Sequence, residues 1–351
     1  MTALYRHEHL IESTTQLFAA AGLDQPIAQT VAEILVEAEL LGYDTHGLQF
    51  IPAYIKNIES GETKRQGKPK ILRDGGNTLL LDALGLPGQW AMVQALEMAR
   101  ARLAEQGIVT IVIRHCANIS CLATYVKRAA DLGALAIVAT SSPTHGVVAP
   151  PGGKQGRVST NPMAIGIPTE THPILIDTST ASVSNRQIER TRRAGGRLAQ
   201  PVLVGGDGNP SDDPEVFYGD PKGAIMPVGG AELGHKGFAF SLMVEALTTS
   251  LAGVGRAEQS EGSNVFLQLI DPTAFGGAEA FRGETSALGD WCRDAAPVDP
   301  ENPVRMPGDR AHHCWWDRIE NGVSLHPEVP GLFAPVFERY GIDAPTPISP
   351  T

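Results

Sequence analysis

A histidine in a turn after an apolar helix is the side chain of this chain best suited to move a proton. His46 follows Thr45 and precedes Gly47, within residues 42–48 (GYDTHGL). An imidazole exchanges its proton near neutral pH, so it can serve the oxygen or nitrogen of a C=O or C=N bond while a hydride reaches the carbon. The Thr45 hydroxyl can orient the ring. Taken alone, the pattern favours a helix-capping threonine beside a buried structural histidine.

A glycine-rich segment, residues 229–237 (GGAELGHKG), precedes an apolar helix predicted from Phe238 to Leu251. Glycines ahead of a helix expose backbone N–H groups, and His235 and Lys236 add donors and positive charge. This combination suits a phosphate or pyrophosphate group. The segment matches neither a Walker loop nor a Gly-x-Gly-x-x-Gly fingerprint. A tight turn that lets a helix pack closely is the alternative interpretation.

Two further segments near the C-terminus carry polar groups in clusters. In residues 305–310 (RMPGDR), two arginines flank a Pro-Gly-Asp turn, an arrangement that suits a planar anion or, alternatively, a solvated turn. The run His312-His313-Cys314 predicts no metal site, because adjacent side chains diverge and no partner ligand follows at helical spacing. The serines lack the Gly-x-Ser-x-Gly context of a hydrolase.

Composition excludes several classes of function. The 351 residues are 42% hydrophobic and 19% charged, as is typical of soluble globular proteins. The net charge of −11 and the absence of a basic stripe argue against a nucleic-acid partner. Four irregularly spaced cysteines form neither a disulfide framework nor a zinc ligand set. With neither a signal-like start nor a long apolar run, we expect a cytoplasmic protein without a membrane partner.

The elements that must position these motifs alternate between helix and strand. Amphipathic helices are predicted over 9–19, 28–41 and 48–58, ahead of and after the His46 turn. Beyond them we expect an α/β lobe, with strands over 78–82, 109–113, 134–140, 163–167 and 173–177 and helices over 89–106, 122–132, 238–251 and 331–340. The loop 141–162 is long enough to indicate either a functional or a disordered segment. Residues 253–263 are expected to be a mobile segment.

Together these motifs resemble the type-2 malate/L-lactate dehydrogenase family, which includes ureidoglycolate dehydrogenases, diketogulonate reductases and cyclic-imine reductases. The resemblance runs in order along the whole chain and is carried by residues 45–47 (THG), 149–154 (APPGGK), 159–162 (STNP), 176–180 (IDTST), 234–237 (GHKG) and 305–309 (RMPGD). It implies a non-Rossmann α/β fold with an N-terminal helical segment and a mixed-sheet cofactor lobe. We expect residues 1–66 and 300–351 to form the helical, catalytic lobe and residues 67–299 the α/β cofactor lobe.

The resemblance implies an NAD- or NADP-dependent oxidoreductase that acts on a small molecule as a homodimer. No acidic residue of the Rossmann type distinguishes the two nucleotides. His46 would be the proton donor and Thr45 its relay, and Gln187 stands where some members place a relay aspartate. Thr160 would lie near the substrate. The resemblance assigns cofactor contacts to Asn118, Ile119, Ser120, Cys121, Leu122, Asp177, Thr178, Ser179, His235, Lys236, Arg305, Pro307, Gly308 and Asp309, with the last stretch continuing to Ala311.

Three departures from the family pattern concern the substrate. Phe50 stands where the family has an arginine for a substrate carboxylate, Asn118 replaces a histidine, and the family's Arg-Gly pair reads Asn185-Arg186. In one interpretation Arg186 holds the carboxylate of an α-keto or α-imino compound. In the other, which we favour from the sequence, the substrate lacks the carboxylate and Phe50 lines an apolar pocket for an unusual imine or ketone.

Two other outcomes stay open at the level of the sequence. One is a classical malate- or lactate-type 2-hydroxyacid dehydrogenase. The other is a protein that has kept the fold and the cofactor but lost catalysis, because a fold never guarantees a function.

Overall fold

The computed structural model describes residues 3–348. Its strands are β1 (Leu4–Tyr5), β2 (Lys70–Asp74), β3 (Thr78–Asp82), β4 (Ile108–Cys116), β5 (Leu135–Ser141), β6 (Met163–Ile167), β7 (Ile174–Thr178), β8 (Leu203–Val204), β9 (Pro210–Ser211), β10 (Ala224–Ile225), β11 (Ser263–Ile270) and β12 (Val323–Ser324). Its helices are α1 (His7–Ala20), α2 (Gln25–Leu40), α3 (Ile51–Ser60), α4 (Gly88–Gln106), α5 (Leu122–Ala130), α6 (Asn185–Arg193), α7 (Glu215–Tyr218), α8 (Gly230–Glu245), α9 (Ala278–Arg293), α10 (Asp309–Asn321) and α11 (Glu328–Tyr340). Short 3-10 helices cover Leu48–Phe50 and Pro272–Ala274, and a π-helical turn covers Ala246–Ser250.

A seven-stranded mixed sheet lies at the centre, in the order β2-β3-β4-β11-β5-β6-β7. Only β3 and β4 pair in parallel within the described sheet, and α4 makes the crossover between them. Ile111 and Ile113 of β4 face the core formed with α4 and α5, whereas Val112 faces Val244 of α8 on the other side. Alternate side chains of a strand point to opposite faces, so a strand covered on both sides reads as a continuous apolar run.

Helix α2 carries the chain into the His46 turn and is buried on nearly every side. Ile34 and Ala38 belong to the core against the central sheet, while Val31 and Leu35 belong to a second core with α1, α3 and α11. A helix that is apolar all round must be enclosed by neighbouring elements. The turn that follows α2 therefore starts from a fixed support. The division into two lobes at the expected boundaries stays a prediction, because α2 contributes to both cores.

A smaller unit lies beside the main sheet. Strands β8, β9 and β10 form a three-stranded antiparallel sheet, and Ile188 of α6 packs into its core with Leu203 and Ile225. A separate two-stranded sheet pairs β1 with β12 and so joins the start of the chain to its C-terminal part. Among residues 3–348, no helix is both long enough and apolar enough to cross a lipid bilayer.

The α/β class with a mixed sheet is confirmed, and the predicted strands over 78–82 and 163–167 match the structure residue for residue. One prediction in the C-terminal half was wrong, because α8 begins at Gly230 rather than Phe238. The sequence analysis also missed the central strand β11, which begins at Ser263. The mobility expected for the segment before it stays a prediction. The Pro-Gly-Asp turn also begins a helix, α10, which the sequence analysis did not predict.

Candidate active site

The His46 turn is held through its backbone on both sides. The His46 N–H donates to the Tyr43 carbonyl at 2.8 Å, and the Ser120 hydroxyl donates to the His46 carbonyl at 2.5 Å. The Leu48 N–H donates to a carboxylate oxygen of Glu39 at 2.8 Å. With its own N–H and carbonyl both bonded, His46 has little freedom to change its backbone conformation.

His46 is half-buried, and its ring is electrically neutral at neutral pH. Desolvation and the positive charge of Arg186 together lower the pKa of His46 to about 4, and the negative charge of Asp44 opposes them. Thr45 Oγ1 lies 2.9 Å from Nδ1 of the ring. When the Thr45 hydroxyl donates to Nδ1, the ring proton resides on Nε2, which is the arrangement of a poised hydrogen-bond donor.

His46 lines a cavity of about 630 Å³, within the range of small-molecule sites. Most of the predicted catalytic, cofactor and substrate residues border the same cavity: Thr45, His46, Phe50, Asn118, Ile119, Ser120, Cys121, Leu122, Thr160, Asp177, Ser179, Asn185 and Arg186. They come from the end of α2, the start of α5, the loop before β6, the end of β7 and the start of α6. The fold thus brings distant motifs together around one space.

One wall of the cavity combines aromatic rings with a cation. Phe50 stacks on Tyr54 with ring centroids 5.2 Å apart and planes 9° apart. The guanidinium carbon of Arg186 lies 4.8 Å from the centroid of Phe50, a cation–π contact. His46 meets the same Phe50 ring edge-on at 6.0 Å. Phe50 therefore supports an arginine that comes from α6.

Helix α6 is tied to the helical part of the molecule by a row of arginines. Ser184 caps the helix and accepts from the Gln187 N–H at 3.2 Å. Arg190 pairs with Asp44 at 3.4 Å and Arg193 with Glu328 at 3.5 Å. Spacings of four and three residues put these side chains and Arg186 on one helix face. Arg186 also pairs with Glu189 at 2.8 Å.

Asn118 is exposed and belongs to a hydrogen-bond chain that runs behind the aromatic wall. The Tyr54 hydroxyl donates to Asn118 Oδ1 at 2.7 Å, Gln89 donates to the Tyr54 oxygen at 2.9 Å, and the Ser120 N–H donates to the same Asn118 oxygen at 2.9 Å. Burial raises the pKa of Tyr54, so its hydroxyl keeps the proton it donates. Asn118 therefore braces Tyr54 and the turn before α5.

Asp177 occupies the N-terminal end of α5. Its carboxylate accepts from the Ala123 N–H at 2.8 Å, and the Cys121 thiol lies 3.7 Å away. Burial raises the pKa of Asp177 to about 6, opposed by the backbone N–H groups of the helix start. A carboxylate at this position satisfies the helix donors that would otherwise be free for a phosphate.

The glycine-rich segment before Phe238 does not precede a helix but lies within α8. Gly234 and Gly237 are buried, and a Cβ at Gly237 would overlap the Val228 carbonyl. The tight-packing alternative thus accounts for Gly237. His235 and Lys236 are exposed on α8 and are not among the described residues that border the cavity. Their contact with a cofactor stays a prediction.

The turn 305–309 also lies apart from the His46 cavity in the described chain. The Pro307 carbonyl accepts from the Leu175 N–H at 3.1 Å. Asp309 pairs with Arg293 at 2.8 Å and with His172 at 3.6 Å. Six predicted site residues are not among the described residues that border the cavity, and their roles stay predictions. They are Arg305, Pro307, Gly308 and Asp309 of this turn, together with Thr178 and Gln187. The Gln187 side chain bonds instead to Thr191 at 3.2 Å.

Sequence analysis missed some residues that border the cavity. His145 lies in the long loop 141–162 and its Nε2 is 3.1 Å from the Asn185 amide nitrogen. Burial lowers the pKa of His145, so this ring too is neutral. The length of the loop was a usable signal for His145, whereas Phe217 and Tyr218 of α7 carried none. Within residues 3–348, no group of three or more His, Cys, Asp or Glu side chains is close enough to share a metal ion.

Comparisons with known proteins agree with this architecture. The malate/L-lactate dehydrogenase family model matches residues 5–331. The chain is 28% identical over 302 residues to L-lactate dehydrogenase of Cupriavidus necator, covering 84% of this chain and 85% of that protein. It is 30% identical over 318 residues to Delta(1)-pyrroline-2-carboxylate reductase of Ancylobacter novellus, covering 87% and 89%. Malate dehydrogenase from Entamoeba histolytica has the same fold, with a TM-score of 0.91 at 23% identity, covering 98% of this chain and 100% of that one.

The matched region contains both the His46 turn and the residues that surround it, and the family predicted from the sequence motifs is confirmed. The chain belongs to the malate/L-lactate dehydrogenase family, an oxidoreductase family whose chemistry implies a nicotinamide cofactor.

Proposed function

We propose that this protein is an NAD(P)-dependent oxidoreductase that reduces a C=O or C=N group next to a carboxylate, with His46 exchanging the proton. The observation that carries the proposal is the presence of His46 and Arg186 in one cavity, both in contact with Phe50, with His46 edge-on and Arg186 over the ring. A guanidinium suits a carboxylate, and the stacked ring limits its motion. This supports the first of the two interpretations, in which Arg186 replaces the missing family arginine.

The relatives supply independent support for an acidic substrate. One is named for L-lactate, a 2-hydroxy acid, and another for pyrroline-2-carboxylate, a cyclic imino acid. In both molecules the reacting carbon carries a carboxylate. A cavity that holds a carboxylate at Arg186 would present the adjacent C=O or C=N group towards His46, since both side chains contact Phe50.

The cavity walls fit the hydrogen-bonding groups of a nicotinamide nucleotide. Ser142, Thr160, Ser179 and Ser184 border it and offer hydroxyls suited to ribose and carboxamide groups. A nicotinamide cofactor supplies or accepts the hydride when it is bound. His235 and Lys236 would bind its phosphates from α8, because the N-terminus of α5 is already occupied by Asp177.

The charge on Arg186 links substrate binding to the proton on His46. In the free protein, burial and the Arg186 charge keep the His46 ring neutral, with its pKa near 4. A carboxylate bound to Arg186 would offset that positive charge and raise the pKa of His46 towards neutrality. The ring could then carry a second proton and donate it to the substrate. In the oxidative direction the neutral ring accepts the proton of the alcohol or amine.

We also propose a homodimer in which a second copy covers α8. This helix exposes Leu233, Phe240, Leu242 and Met243, each at least half exposed in the single chain. Exposed apolar side chains grouped on one element are typical of an interface. Sedimentation should show a dimer for the wild type and a monomer for Met243→Glu.

The test begins with titrations of the protein with NADH and with NADPH, in which nicotinamide fluorescence reports binding. Turnover is then compared between paired compounds with and without a carboxylate, such as pyruvate against acetaldehyde and pyrroline-2-carboxylate against 1-pyrroline. We expect turnover of a carboxylate-bearing compound and a fall of about a hundredfold in its kcat/KM in Arg186→Gln. Arg197→Gln, which removes an exposed arginine paired with Asp212, should leave kcat/KM unchanged.

Each contrary result points to a different alternative. Failure to bind either nucleotide would exclude the oxidoreductase function. The compounds without a carboxylate could instead be turned over as fast as those with one, with no effect of Arg186→Gln. That result would favour the interpretation in which Phe50 lines an apolar pocket for a substrate without a carboxylate. Nucleotide binding without turnover of any keto or imino compound would identify an inactive member of the family.

A further inference from the structure

A fully buried carboxyl group lies directly behind the His46 turn. Glu39 is in the last turn of α2, and none of its surface is exposed. Its Oε1 accepts from the Leu48 N–H at 2.8 Å, two residues beyond His46. Its backbone carbonyl accepts from the Arg318 guanidinium of α10. One residue therefore connects α2, the His46 turn and α10.

Gly47 packs against the same carboxyl group. A Cβ at position 47 would overlap Oε1, Cδ and Cγ of Glu39. The end of a glutamate can usually swing aside, but this one is enclosed and is held by its bond to Leu48. The glycine after the histidine is therefore required by Glu39, and the two residues fit together as a pair.

We propose that Glu39 is a positioning residue for His46, acting through its hydrogen bond to Leu48 and its contact with Gly47. The proposal rests on the function proposed for His46 and gives Glu39 no contact with substrate. The Tyr43 and Ser120 bonds hold the backbone of His46 itself, and Glu39 holds the chain immediately after it. Losing this support would let the ring drift, and a displacement of about 1 Å can lower a rate by about a hundredfold.

The acceptor atom of Glu39, rather than a negative charge, does the positioning. Burial raises the pKa of Glu39 to about 8, so the carboxyl group is mainly protonated at neutral pH. The charged groups that face it are Asp44 of the turn, Arg190 of α6 and Arg318 of α10, and the Leu48 N–H also bonds it. Its Oε2 has no hydrogen-bond partner among the described residues. An amide of the same shape should therefore replace it.

The first test compares Glu39→Gln with Glu39→Met, two side chains of similar volume. Gln keeps the acceptor for Leu48, so we expect kcat within about threefold of wild type. Met keeps the packing but removes the acceptor, so kcat should fall about tenfold to a hundredfold with an unchanged dissociation constant for the cofactor. In NMR titrations the pKa of His46 should stay low in Glu39→Gln and move towards its ordinary value of about 6.5 in Glu39→Met. A folded Glu39→Met with wild-type kcat and wild-type His46 titration would overturn the proposal.

The second test uses the fit between Glu39 and Gly47. Gly47→Ala alone should lower kcat at least about tenfold, because the new methyl group displaces the carboxyl group from Leu48. In the Glu39→Ala background the space is free, so adding Gly47→Ala should change kcat by less than about threefold. Equal effects in both backgrounds would contradict the paired fit. If Glu39→Ala does not fold, a wild-type kcat in Gly47→Ala alone would still contradict the paired fit.

A control and a readout independent of turnover separate this inference from the proposed function. Glu37→Gln removes a neighbouring carboxylate of α2 that pairs with Arg128, and should leave kcat and the His46 titration unchanged. If the wild type turns over no keto or imino compound, the proposed function fails. The His46 pKa in the Gln and Met variants, and the non-additivity of the Gly47 and Glu39 changes in melting temperature, still support or overturn the role of Glu39.

Discussion

Two segments of this chain each place a histidine next to a glycine, but the environments of the two histidines are opposite. The segments are Thr45-His46-Gly47-Leu48 and Gly234-His235-Lys236-Gly237. The first is a turn whose histidine is half-buried and borders the cavity. The second lies inside α8, where the histidine and lysine are exposed and the glycines are buried. In the first the histidine faces inwards, and in the second only the glycines do.

The glycines of the two segments also have different partners. Gly47 makes room for the side chain of Glu39, whereas Gly237 makes room for the backbone of Val228. A side chain can be shortened by mutation, but a backbone carbonyl cannot. In both segments a glycine near the histidine allows another part of the chain to approach the backbone closely. Whether that part is a side chain or a backbone group depends on the element in which the segment lies.

The largest expected difference between the two segments is in catalysis. His46→Ala should lower kcat about a thousandfold, because the proton-exchanging group is lost, with little change in cofactor affinity. His235→Ala should instead weaken cofactor binding and leave kcat at saturating cofactor nearly unchanged. Steady-state kinetics and fluorescence titration measure both. A loss of cofactor binding with retained turnover in His46→Ala would contradict the assignment.

The carboxyl group of Glu39 behind the His46 turn should also make the stability of the whole protein depend on pH. The pKa of Glu39 is raised from 4.5 to about 8, so its contribution is fully present below about pH 4.5 and is lost as the pH rises through about 8. Between about pH 5 and pH 8, the free energy of unfolding of the wild type should therefore fall by a few kcal/mol relative to Glu39→Gln. Urea unfolding at several pH values measures this. Parallel curves for the two proteins would rule out a titrating Glu39.

The α8 segment should respond to mutation in stability rather than in catalysis. A Cβ at Gly237 overlaps the Val228 carbonyl, so Gly237→Ala should destabilise the protein by about 2 kcal/mol. At Gly234 the nearest atom is Cδ of Pro227 at 3.6 Å, an ordinary contact. Gly234→Ala should therefore raise stability by about 0.5 kcal/mol through helix propensity. Thermal unfolding compares the pair, and equal shifts would show that the close approach at Gly237 is unimportant.

The smallest expected effect concerns the hydroxyl beside His46. Thr45→Val removes the group that lies 2.9 Å from Nδ1 and should lower kcat about fivefold, the value of one ordinary hydrogen bond. Thr45→Ser keeps the hydroxyl and should stay within about twofold. Kinetics at saturating substrate measure the two variants. Identical rates for valine and serine would mean that other contacts orient the ring.

Elements with a clear local pattern could be predicted from the sequence, and others could not. The strands over 78–82 and 163–167 were found because apolar residues are bounded by turn signals. Strand β11 was missed although its run Val265-Phe266-Leu267 was a usable signal, since the preceding loop dominated the interpretation. The start of α8 was misplaced because its glycines look like a loop until the packing of Gly237 against Val228 is known.

Some features of the candidate site could likewise be predicted from the sequence, and others could not. Periodicity and motif order determined the helix before His46, the turn itself and membership of the family, because these depend on neighbouring residues. Only the tertiary structure decided that Arg186 lies over Phe50 and that Glu39 lies behind Gly47. Those contacts depend on how α6 packs on the small sheet and on how tightly α2 is enclosed. Packing between distant segments is a property of the whole fold, and no local pattern encodes it.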